Sequence, residues 1–98
     1  MILIVQHRVR DYDTWKPVFD EHGDVRRSHG ATGHEIYRGL DDPNDITIVN
    51  RFPSRGQAEA FTRDPSLKEA MDRAGVISEP RFTWAREAET VDYKAKAA

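Results

Sequence analysis

Four histidines, at positions 7, 22, 29 and 34, are the side chains of this sequence best suited to moving a proton. Imidazole titrates near neutral pH and can take a proton from a phenol or an enol, or return one. His7 falls in phase with Leu3, Val5 and Val9, and His22 falls among apolar neighbours at helical spacing. Both positions aim at a dry interior. His7 is read as the general acid or base and His22 as its assistant; the plainer reading is that each is a partly buried histidine held by a hydrogen bond.

Asn50 and Arg51 are the candidates for steadying a developing oxyanion. Asn50 keeps the phase of Ile46, Ile48 and Phe52, on a face that should be dry. A polar group there needs a partner, either a substrate oxygen or a neighbouring side chain. Arg51, like Arg38 and Arg86, could orient an anionic oxygen, or pair across strands with Glu35, Glu87 or Glu89. Trp15, Tyr37 and Trp84 are read as contacts for a flat substrate, whereas Phe19, Phe61 and Phe82 read as ordinary core.

Other chemistries find little support. The histidine spacings match no compact metal motif, and no metal or cofactor is expected. Cysteine is absent, so disulfides, thiolate ligands and a cysteine nucleophile are excluded. No glycine-rich phosphate loop or serine elbow occurs.

The elements that would position these residues follow from hydrophobic period. Residues 1–9 are β-branched and apolar and read as a first strand, greasy on both faces in its first half. Over residues 11–29 the period changes: Trp15, Val18, Phe19, His22, Val25 and His29 share one helical face. Asp13 or Thr14 is the expected cap, with Pro17 in or beside the first turn. Gly23 weakens this helix by about 1 kcal/mol relative to alanine, and Gly30 stops it.

Residues 32–40 and 45–52 read as a hairpin around the turn Asp41-Asp42-Pro43-Asn44. Ser54 with Gln57, and Ser66 with Glu69, are capping boxes for two further helical segments, the second ended by Gly75. Residues 80–87 read as a last strand. The domain is expected over 1–90, with 91–98 as a loose tail.

The order is β-α-β-β-α-β, a ferredoxin-like α+β domain with a four-stranded antiparallel sheet and both helical regions on one face. The other face would be covered by a second copy, giving a homodimer, a dimeric α+β barrel.

Composition narrows the partners. Fifteen Lys and Arg against 17 Asp and Glu leave a formal charge of −2, with no basic footprint for nucleic acid. The apolar run 1–5 is too short for a signal core or a membrane span, so a soluble cytoplasmic protein is expected.

Several stretches carry a family resemblance: Asp11-Tyr12-Asp13-Thr14-Trp15-Lys16-Pro17, His29-Gly30-Ala31-Thr32-Gly33-His34, Asp41-Asp42-Pro43-Asn44-Asp45 and Asp64-Pro65-Ser66-Leu67. The chain resembles small proteins of the dimeric α+β barrel superfamily, nearest to the antibiotic-biosynthesis-monooxygenase-like or "cyclase" group. The resemblance implies a homodimer with a pocket between sheet and helices in each subunit. It also implies cofactor-free monooxygenase, cyclase or isomerase chemistry on a small aromatic or polyketide-like ligand. The haem-degrading branch uses an asparagine on the first strand and a late histidine. Here that strand carries Gln6 and His7 and no histidine follows His34, which argues against haem. The alternative function is a non-catalytic dimeric module that binds a small ligand or a protein.

Overall fold

The computed structural model describes residues 1–95. Four strands, β1 (Ile2–Arg8), β2 (Gly33–Arg38), β3 (Asp45–Arg51) and β4 (Arg81–Ala85), form one antiparallel sheet in the order β2-β3-β1-β4. Four helices, α1 (Tyr12–Glu21), α2 (Gly23–Ser28), α3 (Arg55–Thr62) and α4 (Pro65–Ala74), complete the chain. The expected α+β architecture is therefore present, with each helical region divided in two. Residues 91–95 carry no regular secondary structure, and 96–98, the rest of the expected tail, lie outside the described residues.

Strand alternation decides which side chains meet the helices. Leu3, Val5, His7 and Val9 of the first strand are buried, as are Ile46, Ile48, Asn50 and Phe52 of the third. The register sets Leu3 against Asn50 and Trp84, and Val5 against Ile48 and Phe82. From the helices, Trp15, Ala58, Phe61 and Ala74 close over this surface. The bare face carries Ile2 and Ile4 beside Thr47 and Val49, all half-buried.

The helical boundaries correct four expectations. Asp11, not Asp13 or Thr14, caps α1: its carboxylate accepts from the Thr14 backbone N–H at 3.0 Å and the Thr14 hydroxyl at 2.8 Å. Pro17 consequently lies inside α1 rather than in its first turn. The single helix expected over 11–29 is interrupted at His22 (ψ 0°), immediately before Gly23, a poor helix former. Likewise Asp64, rather than Ser66, caps α4, accepting from the Ser66 backbone N–H at 2.9 Å with Pro65 at the first helical position. Ser54 caps α3 as expected, at 3.2 Å from the Gln57 N–H.

Two glycines are required by geometry. Gly75 ends α4 at φ 83°, a left-handed conformation that strains other residues. In the hairpin, a Cβ on Gly39 would stand 2.5 Å from the Asp42 carbonyl oxygen, so only glycine lets the turn close.

Candidate active site

A small pocket lies between the sheet and the helices. Val5, His7, Ile48 and Asn50 form its floor; Trp15, Phe19 and His22 come from α1 and its end; Arg26, Phe61 and Met71 are among the residues of its other walls. Its free space is about 40 Å³, room for about three water molecules at most. The sheet supplies polar groups to this floor because His7 and Asn50 occupy inward positions of the β1 and β3 alternation. Helix α1 supplies Trp15 and Phe19, four residues apart on one face and stacked with ring centroids at 4.9 Å.

The two floor residues are under-satisfied. His7 is 4% exposed and its Nδ1 has no partner; Asn50 is 2% exposed and its Oδ1 has none. The Asn50 amide nitrogen donates a long bond, 3.4 Å, to the Leu3 carbonyl. Whichever way that amide is turned, one of its polar atoms stays unpaired. Burial pushes the His7 pKa below its ordinary 6.5, against smaller opposing effects of its own backbone and Asp45. At neutral pH His7 is thus uncharged and able to accept a proton.

His22 is held differently. Its Nε2 lies 2.8 Å from Ser66 Oγ; that hydroxyl donates to Asp64 Oδ1 at 2.7 Å; Asp64 Oδ2 accepts from His29 Nε2 at 2.8 Å. Because the serine proton goes to the carboxylate, His22 Nε2 donates to Ser66, and Nδ1 is left as the basic nitrogen of neutral His22. Bonds from His29 and Ser66 hold the Asp64 carboxyl far below the usual carboxylate range. Burial, then the nearby Arg26 charge, pushes His22 below its ordinary value.

Arg26 is a site residue that the sequence reading passed over. It is 6% exposed and lines the pocket, its guanidinium stacked 3.7 Å from the Phe19 ring centroid. Burial pushes its pKa down to about 10. The signal was available: Arg26 stands four residues after His22, continuing the stripe Trp15, Phe19, His22. The sequence takes Ser66 as a cap only, whereas Asp64 caps α4 and Ser66 joins it to His22.

The structure gathers His7, His22, Asn50 and Trp15 around one pocket and separates the other candidates from them. Arg51 points to the bare face, across from Ile2, and pairs with Glu35. Alternation forces this, since its neighbour Asn50 points inward. Tyr37 is 57% exposed and pairs with Thr47 on that same bare face. Trp84 faces the helix side but lies at the opposite end, beside Pro53 and Arg55. Phe61 belongs to the core and Phe19 packs against it, as expected, and both also line the pocket. Among the described residues, no cluster of three or more His, Cys, Asp or Glu could hold a metal ion. None of the described helices is long and apolar enough to cross a membrane.

Comparison with solved structures follows this geometry. A protein described as an antibiotic biosynthesis monooxygenase superimposes with a TM-score of 0.69 at 13% identity, over 91% of this chain and 100% of that one. SnoaB, a cofactor-independent oxygenase from Streptomyces nogalater, gives 0.68 at 15% identity, covering 89% and 93%. A Bordetella bronchiseptica protein, provisionally named an antibiotic biosynthesis monooxygenase, gives 0.75 at 13% identity, covering 90% and 96%. The chain has the antibiotic-biosynthesis-monooxygenase-like fold. No family model matches the sequence, and no curated protein matches it. Within this fold the pocket between sheet and helices is built here from His7, Asn50, Trp15, His22 and Arg26.

Proposed function

We propose that this chain is a cofactor-independent monooxygenase- or cyclase-type enzyme acting on a small aromatic or polyketide-like substrate. The observation that carries the reading is the pair of buried, unpartnered polar atoms, His7 Nδ1 and Asn50 Oδ1, in the floor of one aromatic-lined pocket. Such atoms cost about 1–3 kcal/mol each when nothing meets them. A hydroxylated ring would meet both, giving a proton to His7 and a hydrogen bond to Asn50. Removing the phenolic proton leaves an electron-rich phenolate that dioxygen can oxidise without a cofactor; phenol plus dioxygen gives quinone plus water. His22 assists as a second base through Nδ1, and Trp15 packs against the ring. The likeness in fold to SnoaB supports this reading.

A homodimer belongs to the same proposal. Ile2, Ile4 and Val49 form an apolar strip on the bare face, and a second copy would cover it. Light scattering that finds 11.3 kDa particles at micromolar concentration would remove the dimer.

The second reading, a non-catalytic ligand-binding module, is favoured by the small resting space of about 40 Å³. Oxygen uptake with a panel of hydroxyquinones, naphthols and lactones separates the two. Turnover that His7→Ala abolishes supports the enzyme; saturable binding with no uptake and no product supports the module.

A further inference from the structure

Arg26 is a buried cation whose usual partners are taken. The three carboxylates nearest it in sequence are engaged elsewhere: Asp24 pairs with Arg27, Glu21 with Arg73 at 3.6 Å, and Asp20 accepts from Lys16 at 2.7 Å through both oxygens. Among the described residues no acceptor meets an N–H of the Arg26 guanidinium, and no anion pairs with it. Its one compensation is the face of Phe19. Stacking satisfies the charge through the ring quadrupole but leaves the in-plane N–H donors unused.

Those donors border open space. Arg26 lines the pocket described above and also a second hollow of about 230 Å³, walled by Gly23, Arg27, Thr32, Gly33 and His34. A Cβ at position 23 would stand 3.4 Å from Arg26 Nη2, so the guanidinium lies against the start of α2. The nearest charges are of both signs. Asp20, already paired with Lys16, is the opposing charge, and Arg27 is the like charge; His34 lines the same hollow and His22 stands one turn back, burial holding both imidazoles below their ordinary pKa. Holding a guanidinium largely out of water with no anion beside it is unfavourable, and its N–H fork is suited to a carboxylate.

Resting on the reading of this pocket as the substrate site, we propose that Arg26 seats an ionised oxygen of the ligand. The site then takes aromatic carboxylic acids in preference to their neutral counterparts. The ring lies toward Phe19 and Trp15, and the carboxylate meets the guanidinium plane with two N–H donors. Arg26 is in this view a specificity residue, separate from proton transfer at His7.

The test uses the intact protein and two probes of equal shape, salicylate and salicylamide, titrated calorimetrically at pH 7.5. Salicylate should bind at least about tenfold more tightly than salicylamide. Arg26→Met should abolish that preference, and Arg26→Lys should keep part of it. In the ligand-free protein Arg26→Met should raise Tm by about 4 °C or more, because an uncompensated buried charge is replaced by an apolar side chain. Equal affinity for acid and amide, binding of neither at millimolar concentration, a preference that survives Arg26→Met, or a lowered Tm would each overturn the proposal. Discrimination between the probes without oxygen uptake on any phenol would leave Arg26's role standing and sink the enzymatic reading alone.

Discussion

Asn50 and Arg51 are neighbours in the chain and face opposite ways. Asn50 is 2% exposed, under the helices, with an oxygen that nothing meets. Arg51 lies on the bare face, paired with Glu35, both side chains more than 40% exposed. The difference is not one of residue chemistry, since either could steady an oxyanion. It is one of medium. A polar group in the dry layer has few alternatives to a ligand, while one on the wet face has water and a local partner, and such an exposed pair contributes about 0–1 kcal/mol. The same division separates His7 and Trp15 from Tyr37. The proposed chemistry therefore belongs to the covered face, and the proposed dimer contact to the bare one.

The largest effect should come from the covered face. His7→Ala is expected to lower kcat by about 10²- to 10⁴-fold, the usual worth of a general acid or base, in an oxygen-uptake assay. Arg51→Ala in the same assay should stay within about twofold, since its side chain lies across the sheet. If Arg51→Ala matched His7→Ala, the division between faces would fail.

Next comes the bare face. Ile4→Lys puts a charge in the middle of the apolar strip and should convert the dimer to monomer, read by sedimentation, while circular dichroism stays unchanged. A dimer that survives this change is not assembled through that face.

The third prediction concerns acid. The folded pKa values of His7, His22 and His34 lie below their ordinary 6.5. As pH falls below 6.5 the unfolded chain binds these protons first, so protonation favours unfolding. Stability is full above about pH 6.5 and is lost as pH drops through the interval down to the folded values. Urea midpoints should fall between pH 7.5 and 5.5, and His7→Phe should shallow that fall. A flat profile would mean that the histidines are not desolvated.

The smallest effect is Ser66→Ala. It removes the hydroxyl linking His22 to Asp64 and should cost about 1–2 kcal/mol in denaturant unfolding. Nuclear magnetic resonance titration should find the His22 pKa moved while that of His7 stays put. A shift at His7 instead would show that the two walls are coupled.

Much of the fold was legible because its signals are local. The period of two in 45–51 placed Asn50 inward, and the hairpin turn and the Ser54 cap were written in adjacent residues. The same alternation already required Arg51 to face away from Asn50, so nominating both for one site was inconsistent with the strand it assumed. Arg26 was hidden for a different reason. A charged residue on a helix normally reads as solvated, and only the stacking of this one on Phe19 shows that it is dry. The hydrogen bonds from His22 to His29 join residues 44 and 35 apart in the chain through the start of α4. No spacing rule reaches that far.

The modest resting space between the layers has a kinetic consequence. A benzene ring needs more volume than about 40 Å³ of water-sized room provides, so admitting one requires the helical layer to lift from the strands. Such lifting takes microseconds to milliseconds, and association then waits on breathing rather than on diffusion. Capture should accelerate steeply with warming and level off as ligand concentration rises. The helical layer is divided at His22, where the segment bearing Trp15 and Phe19 meets the one bearing Arg26.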